Sequence, residues 1–114
     1  MTPETPLEIE PADVSTLLQS PGGHPFRLID CREESEWQIC RLPQAQLVPL
    51  SRFGELAPQL FTDPGEHIII YCHHGMRSMR ATEFLRQLGI HRTQSMRGGI
   101  EAWSDEVDPS TPRY

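Results

Sequence analysis

The chain has 114 residues, 37% of them hydrophobic and 23% charged, with a formal net charge of −6 and a mean hydropathy of −0.46. It is long enough for one domain over 1–114 with its own apolar core, and it has neither the ~20-residue apolar run of a bilayer span nor the basic excess of a nucleic-acid binder. Met1 to Glu10 carries acids and prolines where a secretory leader would carry basic and then apolar residues, so the expected location is cytoplasmic.

Short apolar runs alternate with helical patterns along the chain, which predicts an α/β fold. Leu7 to Ile9 reads as a first strand. Pro11 stands at a helix start, and Val14, Leu17 and Leu18 recur at helical spacing until Ser20-Pro21-Gly22-Gly23 stops the helix. Phe26 to Cys31 is a buried strand, Glu33 to Trp37 a helical turn, and Ala45 to Val48 a brief strand before Pro49. Ser51 is placed to cap a helix that ends by Leu60. Asp63-Pro64-Gly65 turns the chain into His67 to Tyr71, a β-branched run without a polar break, as a parallel strand covered on both faces requires. Ala81, Phe84, Leu85 and Leu88 form the apolar stripe of a helix from about Met76 to Gly89. A strand at Thr93 to Met96, a Gly98-Gly99 turn and a short helix through Trp103 follow.

Charge is uneven. Residues 1–57 hold nine acids and four arginines, whereas Cys72 to Arg97 holds five arginines and the single acid Glu83. That cationic stretch suits a small anionic donor or an acidic protein surface equally well. The three cysteines, Cys31, Cys40 and Cys72, are an odd number, so at least one thiol is free. No C-x-x-C or other recurrent ligand spacing joins them to His73 and His74, and no metal or organic cofactor is expected. Cys31 ends a strand and reads as core packing; Cys40, before Arg41 on a turn, is expected to be exposed.

Cys72 follows the strongest strand and precedes a helix, the place where parallel sheets collect ligands. The helix N-terminus, inward backbone N–H groups and a nearby cation all favour its thiolate. Arg77, five residues on, can curl to the pocket mouth, and Gly75 permits the torsions of a tight cradle. His73 and His74 read as walls of the loop without a proton-transfer role. A buried strand-end cysteine is usually a small hydrophobe, but the polar loop His-His-Gly-Met-Arg-Ser is a poor connection if packing is its only purpose.

Tyr71 to Ser78, Y-C-H-H-G-M-R-S, resembles the active loop C-x-x-G-x-[R/T]-[S/T] of the rhodanese family of sulfurtransferases. Leu28 to Ala45, L-I-D-C-R-E-E-S-E-W-Q-I-C-R-L-P-Q-A, is similar to that family's L-[IL]-D-V-R-x-x-x-E-[FY]-x-x-G-H-[IL]-P-G-A, with Cys31 for valine, Cys40-Arg41 for Gly-His and Gln44 for glycine. Met96 to Trp103, M-R-G-G-I-E-A-W, resembles its closing G-G-x-x-x-W. The resemblance implies a rhodanese-like fold: a central, mostly parallel five-stranded sheet with helices on both faces. It further implies a thiosulfate sulfurtransferase in which Cys72 carries a persulfide. The amides of His73, His74, Gly75, Met76, Arg77 and Ser78 and the Arg77 side chain would hold the anionic donor, and Asp30 and Arg32 would buttress the site as an ion pair. The sulfur acceptor would be cyanide in vitro, or a protein thiol or sulfur carrier.

Two other readings compete. A cysteine phosphatase or arsenate reductase builds a similar cradle, but those loops resemble C-x5-R, whereas Cys72 to Arg77 is C-x4-R. The smaller ring favours sulfur over a phosphoryl group. A non-catalytic protein-binding module would be expected to lose the loop cysteine, which is present here.

Overall fold

The computed structural model describes residues 4–20 and 22–114. Five parallel strands, β1 (Glu8–Ile9), β2 (Arg27–Asp30), β3 (Gln46–Leu47), β4 (Ile68–Tyr71) and β5 (Thr93–Met96), form one sheet in the order β1-β5-β4-β2-β3. The helices α1 (Pro11–Leu18), α2 (Glu34–Ile39), α3 (Phe53–Leu60) and α4 (Met76–Gln87) lie between successive strands, and α5 (Gly99–Glu106) follows β5. Among the described residues, no helix is long and apolar enough to cross a membrane.

Strand β4 explains the layering. Ile68, Ile69 and Ile70 are all fully buried, and successive side chains point to opposite faces. Ile68 and Ile70 join Ile29, Phe53, Ala57, Ala81 and Leu85 on the α3/α4 face; Ile69 and Tyr71 join Val14, Leu28, Ile100 and Trp103 on the α1/α5 face. Each isoleucine contributes roughly 1.5–3 kcal/mol by leaving water. Strand β4 carries no charged or aliphatic-hydroxyl side chain before it ends at Tyr71, and Cys72 is the next residue.

Strand β2 feeds β3 on one side while β4 feeds β5 on the other, so β2 and β4 are neighbours whose connections part in opposite directions. The crevice beyond their carboxyl ends is where such sheets bind ligands. Asp30 pairs with Tyr71 in this register, and the Cys31 N–H donates to the Tyr71 carbonyl at 3.0 Å. Cys31 and Cys72 therefore leave the sheet side by side.

Local departures from the sequence reading have local causes. Ser51 does not cap α3: it lies in a 3-10 turn, Leu50–Arg52, and its hydroxyl donates to Glu33 Oε1 at 2.7 Å. Helix α2 runs to Ile39 because Glu33 and Glu36 form a reciprocal capping box at its start. Helix α5 continues past Trp103 to Glu106, and Ser104 is buried beneath the returning C-terminal segment, its hydroxyl bonded to Thr111 O at 2.9 Å. Cys40 is buried, with its thiol 3.4 Å from the Pro112 carbonyl, because that same segment, out of reach of local pattern, covers it. Of the helix stop at residues 20–23, Pro21 lies outside the described residues.

Two backbone positions have opposite consequences for substitution. Gln44, where the resembling pattern has glycine, adopts φ 64°, a left-handed conformation that costs a side-chain-bearing residue about 1–2 kcal/mol. Gly99, at φ 62°, begins α5 against the Cys72 loop, and a Cβ there would collide with the carbonyl oxygens of Cys72 and His73. Gln44→Gly is expected to stabilise the fold by about 0.5–1 kcal/mol in denaturant unfolding, the relief being partly offset by glycine's entropy. Gly99→Ala is expected to destabilise it by at least about 2 kcal/mol. A neutral Gly99→Ala would mean the contact between α5 and the loop yields without cost.

Candidate active site

The residues Cys72 to Gly75 turn from β4 into α4, and Gly75 makes the turn at φ 106°, directly before the first helical residue. Its conformation aims two backbone donors at one atom: the Gly75 N–H lies 3.0 Å and the Ser78 N–H 3.3 Å from Cys72 Sγ. Ser78 Oγ is 3.5 Å from the same sulfur and 2.7 Å from Ser95 Oγ on β5. The Ser78 hydroxyl also lies 3.1 Å from the Gly75 carbonyl, so with Ser95 donating to Ser78 its one proton is shared between that carbonyl and the sulfur. The loop is held from the other side by α5, whose Ile100 and Glu101 N–H groups donate to the Cys72 and His73 carbonyls at 2.8 and 3.1 Å. The Gly98-Gly99 step thus locks the cradle in place.

These donors stabilise negative charge on sulfur. The Cys72 thiol is brought down to about 5, first by the S–H of Cys31 beside it, against the opposing effect of burial, and then by the Ser78 hydroxyl and the Ser78 and Gly75 amides. Cys31 is correspondingly pushed up, because its proton is shared toward Cys72 and its surroundings are apolar. Cys72 is a thiolate at neutral pH, a nucleophile in an oriented ring of dipoles.

The other site residues divide. Asp30 and Arg32 form a fully buried ion pair at 2.7 Å; Arg32 also donates to the Cys40 carbonyl at 2.6 Å and to Tyr114 Oη at 2.8 Å. They tie β2, the C-terminal end of α2 and the C-terminus together. The partly exposed Arg77 guanidinium forms a bidentate pair with Glu36 at 2.6 and 2.9 Å, which holds the Glu36 carboxyl at about 2. Glu36 also accepts from Tyr114 Oη at 2.7 Å. His73 stacks on Tyr114 with ring centroids 4.0 Å apart and on His74 at 3.9 Å, and burial lowers its affinity for a proton. The Met76 side chain is in solvent, so its contribution to the loop is backbone.

The cationic stretch is largely spent within the molecule. Arg97 pairs with Glu10 and Glu106, Arg86 donates to the Thr93, Thr5 and Pro6 carbonyls, and Arg92 meets His24 and the Gly65 carbonyl. His73, His74 and Glu101 bring ligand atoms within 4.8 Å of one another, the one such group among the described residues, but Arg113 already occupies the Glu101 carboxylate at 2.9 Å.

Sequence reasoning did not assign Glu36, Ser95, Glu101 or Tyr114. Glu36 sits inside the Leu28 to Ala45 motif and was legible there as the acid of D-C-R-x-x-x-E. Ser95, Glu101 and Tyr114 come from elements that meet the loop only on folding.

Residues 10–106 match the family described as Rhodanese-like domain. The chain is 38% identical over 90 residues to the chloroplastic Rhodanese-like/PpiC domain-containing protein 12 of Arabidopsis thaliana, covering 77% of this chain and 30% of that protein. It is 38% identical over 102 residues to the adenylyltransferase and sulfurtransferase MOCS3 of Drosophila yakuba, covering 81% and 22%. The solved thiosulfate sulfurtransferase of Pseudomonas aeruginosa superposes with a TM-score of 0.74 at 26% identity, over 88% of this chain and 19% of that one. The chain spans less than a third of the length of each of these relatives.

The thiolate can be titrated directly. Alkylation of Cys72 by iodoacetamide, followed by mass spectrometry, is expected to lose rate only as pH falls through about 5, in place of the ~8.5 of an ordinary thiol. Ser78→Ala, which removes a donor to the charged form, is expected to move the midpoint upward. An ordinary thiol midpoint in the unaltered protein would show that the donors do not stabilise the anion.

Proposed function

This chain belongs to the Rhodanese-like domain family, and on that footing we propose that it is a sulfurtransferase whose Cys72 takes sulfane sulfur from thiosulfate or a persulfide and passes it to a thiophilic acceptor. The observation that carries the reading is the convergence of the Gly75 and Ser78 N–H groups on a Cys72 sulfur whose pKa is about 5.

The Cys72 thiolate attacks the outer sulfur of thiosulfate. The new S–S bond forms as the bond to the sulfite sulfur breaks, and sulfite leaves with the electron pair. The persulfide anion then sits where the thiolate charge was, in the same ring of amide and hydroxyl donors. An acceptor thiolate or cyanide attacks the outer sulfur and restores Cys72. Neither half-reaction needs a group beyond the loop.

Arg77 enters by exchange of partners: the guanidinium shared with Glu36 offers its remaining N–H groups, or breaks that pair, to meet a donor dianion. The C-x4-R length supports sulfur over phosphoryl chemistry, because a ring that already brings two amides to 3.0 and 3.3 Å of sulfur leaves little room for a tetrahedral group. The acceptor is a small thiophile or a protein thiol; the relatives that carry this domain within longer chains favour the second.

Incubation with thiosulfate is expected to add one sulfur atom to the intact mass, lost on addition of cyanide, and Cys72→Ser should abolish both the gain and the turnover. Retained turnover in that variant would sink the mechanism. Arg77→Ala is expected to raise KM for thiosulfate by roughly tenfold, about 1.4 kcal/mol, while an uncharged donor is affected less. Equal losses for the two donors would make Arg77 structural.

A further inference from the structure

Cys31 is a buried thiol that the transfer reaction above does not consume. Valine stands at this position in the resembling motif and would fill the same apolar place, so packing does not call for sulfur. Three features set Cys31 apart from an inert core cysteine. It follows Asp30 as Cys72 follows Tyr71, and Asp30 and Tyr71 are register partners on adjacent parallel strands. Neighbouring strands run ~4.8 Å apart, inside the about 4.4–6.8 Å Cα separation that a cystine spans. Both side chains also lie on the same face of the sheet, in the cluster containing Ile29 and Ile70. Cys40, by contrast, packs on the opposite face with its thiol toward Pro112.

Resting on the persulfide reading, we propose that Cys31 is a second reacting thiol of this site: it attacks Cys72 Sγ of the persulfide, closes a Cys31–Cys72 disulfide and expels the outer sulfur as hydrosulfide. Written for the ionised persulfide, Cys72–S–S⁻ and Cys31–SH become Cys72–S–S–Cys31 and HS⁻. The sulfane sulfur gains two electrons, the two cysteine sulfurs lose one each, and the Cys31 proton departs on the hydrosulfide. The persulfide is itself the oxidant. A dithiol then reduces the disulfide, so that thiosulfate and a dithiol yield sulfite, sulfide and the oxidised dithiol.

Direction of approach separates this step from ordinary transfer. Cys31 reaches Cys72 from the strand side, whereas the Gly75 and Ser78 amides surround it from the loop side. An acceptor arriving through the loop mouth meets the outer sulfur; Cys31, buried beneath, meets the inner one. The loaded enzyme therefore divides between transfer when an acceptor is at hand and sulfide release when none is. Disulfide closure also protects Cys72 from further oxidation.

The test is a single turnover without acceptor or reductant. Reduced protein is loaded anaerobically with a limiting amount of thiosulfate, or in a parallel arm with inorganic polysulfide, then desalted and followed by intact mass, sulfide assay and thiol count after denaturation. The added sulfur is expected to disappear as sulfide, leaving a mass lighter than the reduced protein by two hydrogens, one remaining thiol, and a Cys31–Cys72 cross-linked peptide after proteolysis. Cys31→Val and Cys31→Ser should both keep the added sulfur and release no sulfide, while Cys40→Ser behaves as the unaltered protein. A persulfide that lasts as long in the unaltered protein as in Cys31→Val, or a cross-link to Cys40, overturns the proposal. Loading by polysulfide but not thiosulfate would refute the thiosulfate donor alone, with the polysulfide arm still deciding the role of Cys31. Neither a persulfide nor released sulfide from either arm, in the unaltered protein and in Cys31→Val alike, would overturn both.

Discussion

The parallel pairing of β2 with β4 is the constraint on which the rest of the structure depends. It buries Ile68, Ile69 and Ile70 on both faces and sets Asp30 opposite Tyr71. A central strand has no solvent side, so the polar chemistry of this chain is displaced to the strand ends. Parallel strands present all their carboxyl ends at one edge, and the opposite departures of the β2 and β4 connections open a crevice there. Cys72 and Cys31 occupy it because they are the next residues after the pairing stops.

A thiolate in a chain of net charge −6 depends on directed dipoles more than on the overall field. The Gly75 and Ser78 amides and the Ser78 hydroxyl act at hydrogen-bond range, where a fixed donor outweighs distant screened charges. The same economy governs the arginines. Arg32 is neutralised by Asp30, and Arg77 is shared with Glu36, with Tyr114 bridging Glu36 to Arg32. Positive charge at the mouth is thus held in place by a chain of partners that reaches from β2 to the C-terminus. An anion arriving there would meet an ordered guanidinium and compete with its carboxylate partner.

The cradle is rigid because independent elements fix it. Helix α5 holds the Cys72 and His73 carbonyls through two of its first N–H groups, Ser95 of β5 holds Ser78, and His73 is pressed between His74 and Tyr114. The two α5 amides satisfy loop carbonyls that would otherwise be without these partners. Such a site needs no closing motion to collect its donors around sulfur, which would suit chemistry in which the cysteine alternately gains and loses a single sulfur atom.

Much of this was legible in the chain itself. Apolar runs bounded by turns located four of the five strands, the helical stripe located α4, and the loop Y-C-H-H-G-M-R-S identified Cys72, because these signals are local and depend on residues a few positions apart. The strand Thr93 to Met96 was found despite its polar Thr-Gln-Ser composition, although its burial came from neighbours that no local pattern names. Folding decided everything that depends on meeting across distance: the engagement of Arg77 by Glu36, the shelter of Cys40 beneath the C-terminal segment, the stacking of Tyr114 on His73, and the approach of Cys31 to Cys72. The sequence by itself determined which residues could be reactive, through side-chain chemistry and local periodicity. Strand order and register alone decided which reactive residues touch, since partners separated by 41 positions, as Glu36 and Arg77 are, become neighbours only through the sheet.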